Sequence, residues 1–397
     1  MSRTQLSLFL DKLSFIVLIA YALTFIFDLK INLLKISFLL SLLSIIIVKP
    51  KWSVQSPIIY LLIIFVGLTL IPILINPSAS FLEYKSRFLS PLLGLFLVFT
   101  LNMTKTRLFF IILSFTSILT LNSIDVIIEF MSNNLRPTGF SNAHYMFLAI
   151  CNTLIQPIIL AFIIVSYKTS KIPRFLAYLL SSTLIINIPA IIFENTRIVY
   201  ISLFFSFLLI IYFLINNKIK ATILCVALLL YSLAIFQISP NSSERFESIP
   251  QITYTNQSNY ERLLMWQSAV NMFKDYPLSG VGIGNYYDYY LTEYRSPLSR
   301  ETQGHPHNTF LFFLSEMGIF GGLSYFFIFL FLGYHALSTY KKTKSISAII
   351  FLAVLISFFI HSQTDCIFSS IGFKQLSYMF WFLTGIYFWL NNSIKKL

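Results

Sequence analysis

Apolar runs of about 17 to 25 residues follow one another through most of this 397-residue chain, and that is the length an α-helix needs to cross the hydrocarbon core of a bilayer. Inside that core the backbone must satisfy its own N–H and C=O groups, so such runs have to be helical. The expected fold is an all-α polytopic membrane protein. Its spans are predicted near 13–28, 32–48, 57–75, 88–102, 107–122, 144–166, 174–193, 198–215, 220–237, 307–335, 346–361 and 374–391. The organisation expected from them is 1–237, nine transmembrane helices with short loops; 238–306, a large loop; and 307–397, helices ten to twelve. The first run, Leu13 to Phe27, has no small-residue cleavage site and is followed at once by another span, so it is expected to stay as a helix.

A formal net charge of +13 invites a nucleic-acid reading, but its distribution argues for topology instead. With the N-terminus inside, sixteen of the 28 basic residues fall in inner connections and termini: Arg3, Lys12, Lys49, Lys51, Lys105, Arg107, Lys168, Lys171, Arg174, Lys218, Lys220, Lys341, Lys342, Lys344, Lys395 and Lys396. The one acid there is Asp11. By the positive-inside rule both termini are expected to be cytoplasmic. The inner connections are too short to fold into a domain, so chemistry is expected on the outer side. Cys151, Cys225 and Cys366 lie in or beside different spans with no metal or disulfide spacing, and read as packing residues.

Two outer segments are longer. Asn122 to Ala143 carries Ile124, Ile127, Ile128 and Met131 at helical spacing and predicts a short helix on the membrane surface, ending in a turn at Arg136-Pro137-Thr138-Gly139. In the loop from Ile238 to Pro306, Ser258 and Glu261 have capping-box spacing. Leu263, Trp266, Val270 and Phe273 then predict an amphipathic helix over about 259–274, stopped by Pro277. Tyr286, Tyr287, Tyr289, Tyr290 and Tyr294 suit an interfacial or sugar-contacting surface. Gly280-Val281-Gly282-Ile283-Gly284 lacks the strand and βαβ context of a nucleotide site and reads as a tight turn.

The polar groups that bear chemistry are few. His305-Pro306-His307-Asn308 leads into the apolar run from Thr309, with Pro306 placed to open a helix and His307 in its first turn. There the helix dipole favours a neutral imidazole, which can accept a proton. Arg197 opens span eight, Arg262 sits in the first turn of the loop helix, and Arg87 and Arg136 lie at other outer boundaries. A guanidinium fork matches phosphate oxygens, so Arg197 and Arg262 are candidate ligands of a diphosphate. Glu244 and Glu247 are the one close acidic pair of the large loop and no Asp-x-Asp occurs, so neutralisation by arginine without a metal or other cofactor is expected. Gly318, Gly321 and Gly322 suggest a small face for close packing of span ten, and Glu316, about half a turn round from His307, a pairing with another helix.

His307-Asn308, nine residues, then Gly318-Ile319-Phe320-Gly321 resembles the signature of the bacterial O-antigen ligases, within the wider ligase and polymerase group. Arg197 at the head of a span, Arg262 to Trp266 followed by Pro277 and Gly280-Val281-Gly282, and a large loop between spans nine and ten are similar to the same pattern. Ile201 stands where the ligase arginine motif often has Leu. The paired arginine-to-glycine motifs of many polymerases are absent from the large loop, which favours the ligase. The resemblance implies a GT-C-like glycosyltransferase of the inner membrane with its site on the periplasmic face. Its partners would be an undecaprenyl-diphosphate-linked glycan donor, a lipid A-core acceptor and membrane lipids, with no nucleic acid and no ATP. It implies His307 as general base, Arg197 and Arg262 on the diphosphate, and His305, Arg136 and Arg87 in supporting roles. An O-antigen polymerase, a protein O-glycosyltransferase and, from a different class, a lipid-linked oligosaccharide flippase are the alternatives. A flippase is expected to place its ionisable residues near the bilayer midplane rather than at one edge.

Overall fold

The computed structural model describes residues 2–27, 32–49, 52–54, 56–141, 143–169, 174–251, 253, 257–368, 374–391 and 394–396. Lys51 and Lys171, two of the predicted inner cations, lie outside the described residues. The chain is an α-helical, multi-pass membrane protein: eight of the described helices are long and apolar enough to span a bilayer, and Leu33–Val48 and Ile346–His361 are shorter apolar helices. Among the described residues one antiparallel pair of three-residue strands, Trp52–Val54 with Ile394–Lys396, is the exception. Many large apolar side chains point outward, as a lipid-facing surface requires; the helix Lys218–Ile238 has only 6% of its apolar window buried.

The chain divides into two compact units. The first comprises Met1–Lys49, Thr100–Ile249 and Ala336–His361. Its centre is the helix Tyr145–Lys168, 89% buried over its apolar window, against which Arg174–Phe193, Arg197–Leu214 and Ile346–His361 pack. A mostly apolar helix whose few polar groups, Asn152 and Gln156, find buried partners belongs in such a place. Arg3–Thr24 and Leu33–Val48 pair through serines, Ser14 Oγ donating to Ser37 O at 2.8 Å and Ser7 Oγ to Ser44 O at 3.0 Å. Small hydroxyl residues let the two backbones approach closely.

Two expectations fail in this part of the chain and its neighbour. The predicted surface helix after Asn122 does not exist: Lys105–Met131 runs on as one helix of 27 residues. Nothing between Leu108 and Met131 breaks it, and Asn122 is buried within it, holding the returning turn through Thr138 O and Ser141 N at 3.1 Å each. Nor is the predicted span at 88–102 one helix. A π turn at Lys85–Leu89 and a 3-10 turn at Ser90–Leu92 precede the short helix Leu93–Thr100, because Pro91 has no N–H to give to a regular ladder.

The second unit comprises Pro50–Phe99, Pro250–His335 and Ser362–Leu397. The loop helix forms as expected in extent, over Gln257–Asp275. The capping box does not form: Ser258 lies inside the first turn, and buried Glu261 instead accepts from Arg300 N–H at 2.8 Å and Ser299 Oγ at 2.7 Å. Tyr286 and Tyr290 are likewise not surface groups but buried, their rings stacked at 5.8 Å.

The largest correction concerns span ten. Thr309–Thr343 is helical on both sides of Gly318, where φ is 61° and ψ −150°. Phe310 and Phe326 have ring centroids 4.8 Å apart, whereas sixteen residues of straight helix would separate them by roughly 24 Å. The segment therefore folds back on itself at Gly318. A Cβ there would collide with the backbone of Pro277 and Leu278, and one at Gly321 with the carbonyl of Phe313. The glycines serve a hinge rather than the packing of a straight helix against its neighbour.

Candidate active site

The fold-back sets the histidine loop in place. Asn308 is the cap of the short arm, its Oδ1 accepting from Leu311 N–H at 3.0 Å, as asparagine is well suited to do. His307 precedes the cap, so the expectation that it lies in the first helical turn is corrected. Its φ of 50° is a left-handed conformation that a non-glycine residue adopts only when its surroundings hold it there. The ring of His305 does so: its Nδ1 accepts from the backbone N–H of His307 at 3.3 Å. Burial, with repulsion from His307 next in order, pushes the His305 pKa down to about 4. His305 is therefore neutral near pH 7, with its proton on Nε2.

A second segment is sewn onto the same end of the short arm. Thr309 N–H donates to Ser362 O at 2.8 Å, Thr309 Oγ1 to Asp365 O at 2.7 Å, and Asn308 Nδ2 to Gln363 O at 3.0 Å. These bonds bring buried Asp365 to His307, Oδ1 to Nδ1 3.6 Å. That distance exceeds a hydrogen bond but lies within the range where a carboxylate stabilises an imidazolium. Nδ1 of His307 is buried and makes no hydrogen bond. With Nδ1–H toward the carboxylate, the free lone pair is on Nε2. Sequence reasoning missed Asp365, a lone acid in the connection between the last two helices.

His305, His307 and Asp365 also offer two nitrogens and an oxygen within 4.8 Å of one another. Two imidazoles and a carboxylate suit a divalent transition metal. The trio could hold a cation, which would then occupy the nitrogen that a base requires.

Glu316 fixes the hinge. Its Oε2 lies 2.6 Å from Arg87 Nη1, and its Oε1 accepts from Gly284 N–H at 3.1 Å and Tyr286 N–H at 3.3 Å. Val281 N–H and Gly282 N–H donate to Ser315 O at 2.8 Å and Glu316 O at 3.1 Å. The glycine-rich turn thus wraps the end of the short arm, with positive φ at Gly280, Gly282 and Gly284. The second bond of Arg87, to Glu83 at 3.0 Å, leaves its guanidinium committed to two carboxylates. It lies against Phe312, 5.3 Å from the ring centre, and is a positioning group of this cluster. Arg262, also in this unit, lies along its own helix and donates from Nη1 to Ser258 Oγ at 3.1 Å.

Arg136 and Arg197 belong to the first unit: Arg197 follows the turn Glu194-Asn195-Thr196, and Arg136 is next to Leu135, whose carbonyl accepts from Asn195 Nδ2 of that turn at 2.9 Å. Arg197 Nη1 donates to Ser248 Oγ at 3.0 Å. The guanidinium of Arg136 stacks on Tyr145, 3.2 Å from the ring centre, and burial lowers its pKa. Arg245, which no motif marked, donates from Nε to Asn195 O at 3.2 Å. Glu194 turns inward to Asn152, and burial raises its pKa to about 8.

Residues 182–326 match the sequence model of a family described as O-antigen ligase. No curated protein matches the chain. The matched segment contains Arg197, Arg245, Arg262, Glu316 and both histidines of the loop.

Proposed function

From the match of residues 182–326 to the O-antigen ligase family model, we propose that the chain is a glycosyltransferase moving O-antigen polysaccharide from undecaprenyl diphosphate to a lipid A-core sugar. The site faces the periplasm of the inner membrane, both termini being cytoplasmic, and the reaction uses no ATP. The observation that carries this reading is a half-buried histidine backed by a buried carboxylate, in a loop that the fold-back, its cap and the 362–367 segment all constrain.

In the proposed step the acceptor hydroxyl oxygen attacks the anomeric carbon as the bond from that carbon to the diphosphate oxygen breaks. His307 takes the hydroxyl proton as general base, and Asp365 stabilises the imidazolium so formed. Arg197 and Arg262 bind the diphosphate and stabilise the charge that grows on it as it leaves. A single displacement without a covalent intermediate inverts the anomeric centre. His305 holds the His307 backbone, and Arg87 acts through Glu316 on the hinge.

Purified protein in detergent, given undecaprenyl-diphosphate glycan, lipid A-core and no nucleotide, tests the proposal. Glycan on lipid A-core is the expected product. Lengthening of the glycan on its own carrier would make the protein a polymerase, and no change in either lipid would revive the transporter reading. A base role also requires His307 free of metal, so activity should persist in excess chelator; loss that added cation restores would reassign the His305, His307 and Asp365 trio as a metal centre.

A further inference from the structure

The tyrosines of the large loop divide into two sets. Tyr286 and Tyr290 are buried, whereas Tyr276 is 37% exposed and Tyr289 and Tyr294 are half-buried. The second set forms one surface. Tyr276 and Tyr289 meet edge to face with ring centres 5.9 Å apart, and the rings of Tyr289 and Tyr294 lie 6.5 Å apart, tilted by 30°.

A distortion of the backbone makes this surface. Tyr286–Tyr289 is a single α turn and Tyr290–Tyr294 a π turn. In a continued α-helix, residues five apart point about 140° away from each other, whereas the i→i+5 bonds of a π turn return the fifth residue to the side of the first. Tyr289 precedes the π turn and Tyr294 closes it, so the irregular turn lets the two rings share a face. The Tyr294 hydroxyl is then locked, donating to Asp275 Oδ2 at 2.6 Å. Tyr276 is fixed at its root: its carbonyl accepts from Gly280 N–H at 2.9 Å, and the next carbonyl, of Pro277, accepts from Ile319 N–H at 2.8 Å. The surface therefore sits at the Gly318 end of the short arm. The length of that arm from Thr309 to Met317 sets it roughly 13 Å from the histidine loop.

The charges beside the rings select the ligand. Tyr289 first, then desolvation and the negative charges of Glu293 and Asp275, raise the pKa of the Tyr276 hydroxyl. Both carboxylates are exposed, beside the exposed Lys274, and Arg295 donates to Ser299 O at 3.0 Å. Tyrosines that anchor a loop at anionic headgroups work alongside lysine and arginine, and a carboxylate pair opposes that contact. Rings set side by side offer rigid contact area at small entropic cost, which suits the C–H faces of a pyranose, and ionised carboxylates accept from its hydroxyls. We propose that Tyr276, Tyr289 and Tyr294, with Asp275, form a saccharide-stacking surface that holds an uncharged stretch of glycan away from the bond being made. This rests on the proposed function for the source of the glycan, the polysaccharide of the donor or the core of the acceptor.

Full-length protein in detergent, titrated with the polysaccharide freed from undecaprenyl diphosphate by mild acid and separately with core oligosaccharide freed from lipid A, tests the surface apart from catalysis. Wild type should bind one of the two, and which one it binds tells donor from acceptor. Tyr276→Ala should weaken that binding by about three- to tenfold, while Tyr276→Phe, which keeps the ring, should bind as wild type does. Unchanged affinity in Tyr276→Ala would overturn the proposal, as would a loss in Tyr276→Phe equal to that in Tyr276→Ala. Binding in detergent that vanishes in nanodiscs of phosphatidylethanolamine and phosphatidylglycerol would mean that headgroups cover the rings, and would overturn it too. Transfer in the nucleotide-free assay without binding of either free glycan would remove this inference alone. Glycan binding that depends on Tyr276 in a protein that transfers nothing would sink the proposed function and leave the surface standing.

Discussion

The two polar clusters of this protein solve opposite problems. In the second unit the buried charges at the hinge are matched: Arg87 lies between Glu83 and Glu316, the second oxygen of Glu316 is taken by backbone N–H groups, and His305 is kept neutral. That matching produces rigidity around His307. In the first unit neither Arg136 nor Arg245 has an ion pair with a carboxylate among the described residues, the charge of Arg245 acts unfavourably on Arg136, and the adjacent acid is neutralised by burial. A matched cluster holds a reactive group in one geometry, whereas an unmatched one waits for charge to arrive. Under the proposed function the matched cluster carries the base.

The strongest way to break the contrast is at the base. His307→Ala should cut transfer by about two to four orders of magnitude, the usual range for a general base, while leaving affinity for undecaprenyl diphosphate intact. Asp365→Asn should lower the rate less, because it removes stabilisation of the imidazolium and keeps the proton acceptor. Rates from single-turnover transfer, set beside binding to the same preparations, check both. Near-normal transfer by His307→Ala removes the base assignment, and loss of donor binding in that variant would erase the separation of roles.

The matched cluster also predicts a stability effect. Glu316→Ala leaves Arg87 buried with only partly exposed Glu83 as partner, and frees the N–H groups of Gly284 and Tyr286. Removing one member of a buried pair typically costs ~3–5 kcal/mol, so thermal unfolding in detergent should shift down clearly. Replacing Arg87 and Glu316 together by apolar residues should recover part of the loss, since no orphan charge remains. A Glu316→Ala variant as stable as wild type would mean that the hinge at Gly318 does not depend on this pair.

How far these clusters could be read from sequence depends on whether a signal is local. Helix Gln257–Asp275 follows from its spacing, yet its buried face is Glu261, Met265, Ala269 and Met272 while Leu263 is exposed. Period is local, but the side that turns inward depends on what packs there. The histidine loop was legible because motif and cap are contiguous. The fold-back at Gly318 was not, since a hydropathy window counts apolar residues without recording a reversal of direction. Asp365 and Arg245 carry no motif of their own; hydrogen bonds from Thr309 and Asn195, distant in sequence, give them their positions. The glycine-rich turn was recognisable as a turn, but its partner Glu316 lies 32 residues beyond Gly284.

The smallest expected effect concerns Glu194, whose proton keeps the arginine turn free of negative charge. Its carboxyl is buried against Asn152, and its pKa of about 8 lies above the ordinary 4.5. The folded protein therefore holds a proton that the unfolded chain releases. Stability from this group is fully present below about 4.5, falls as pH rises, and is lost as pH passes through about 8. Glu194→Gln keeps the shape and cannot ionise, so its melting curve should be flatter over that window. It should lie above wild type near pH 8 by on the order of a few degrees, with the two proteins converging near pH 5. The same substitution should leave diphosphate affinity unchanged at neutral pH, where the carboxyl is already uncharged. Parallel pH profiles for the two proteins would place Glu194 in its ordinary ionised state, and the first unit would then hold a counter-charge like that of the second.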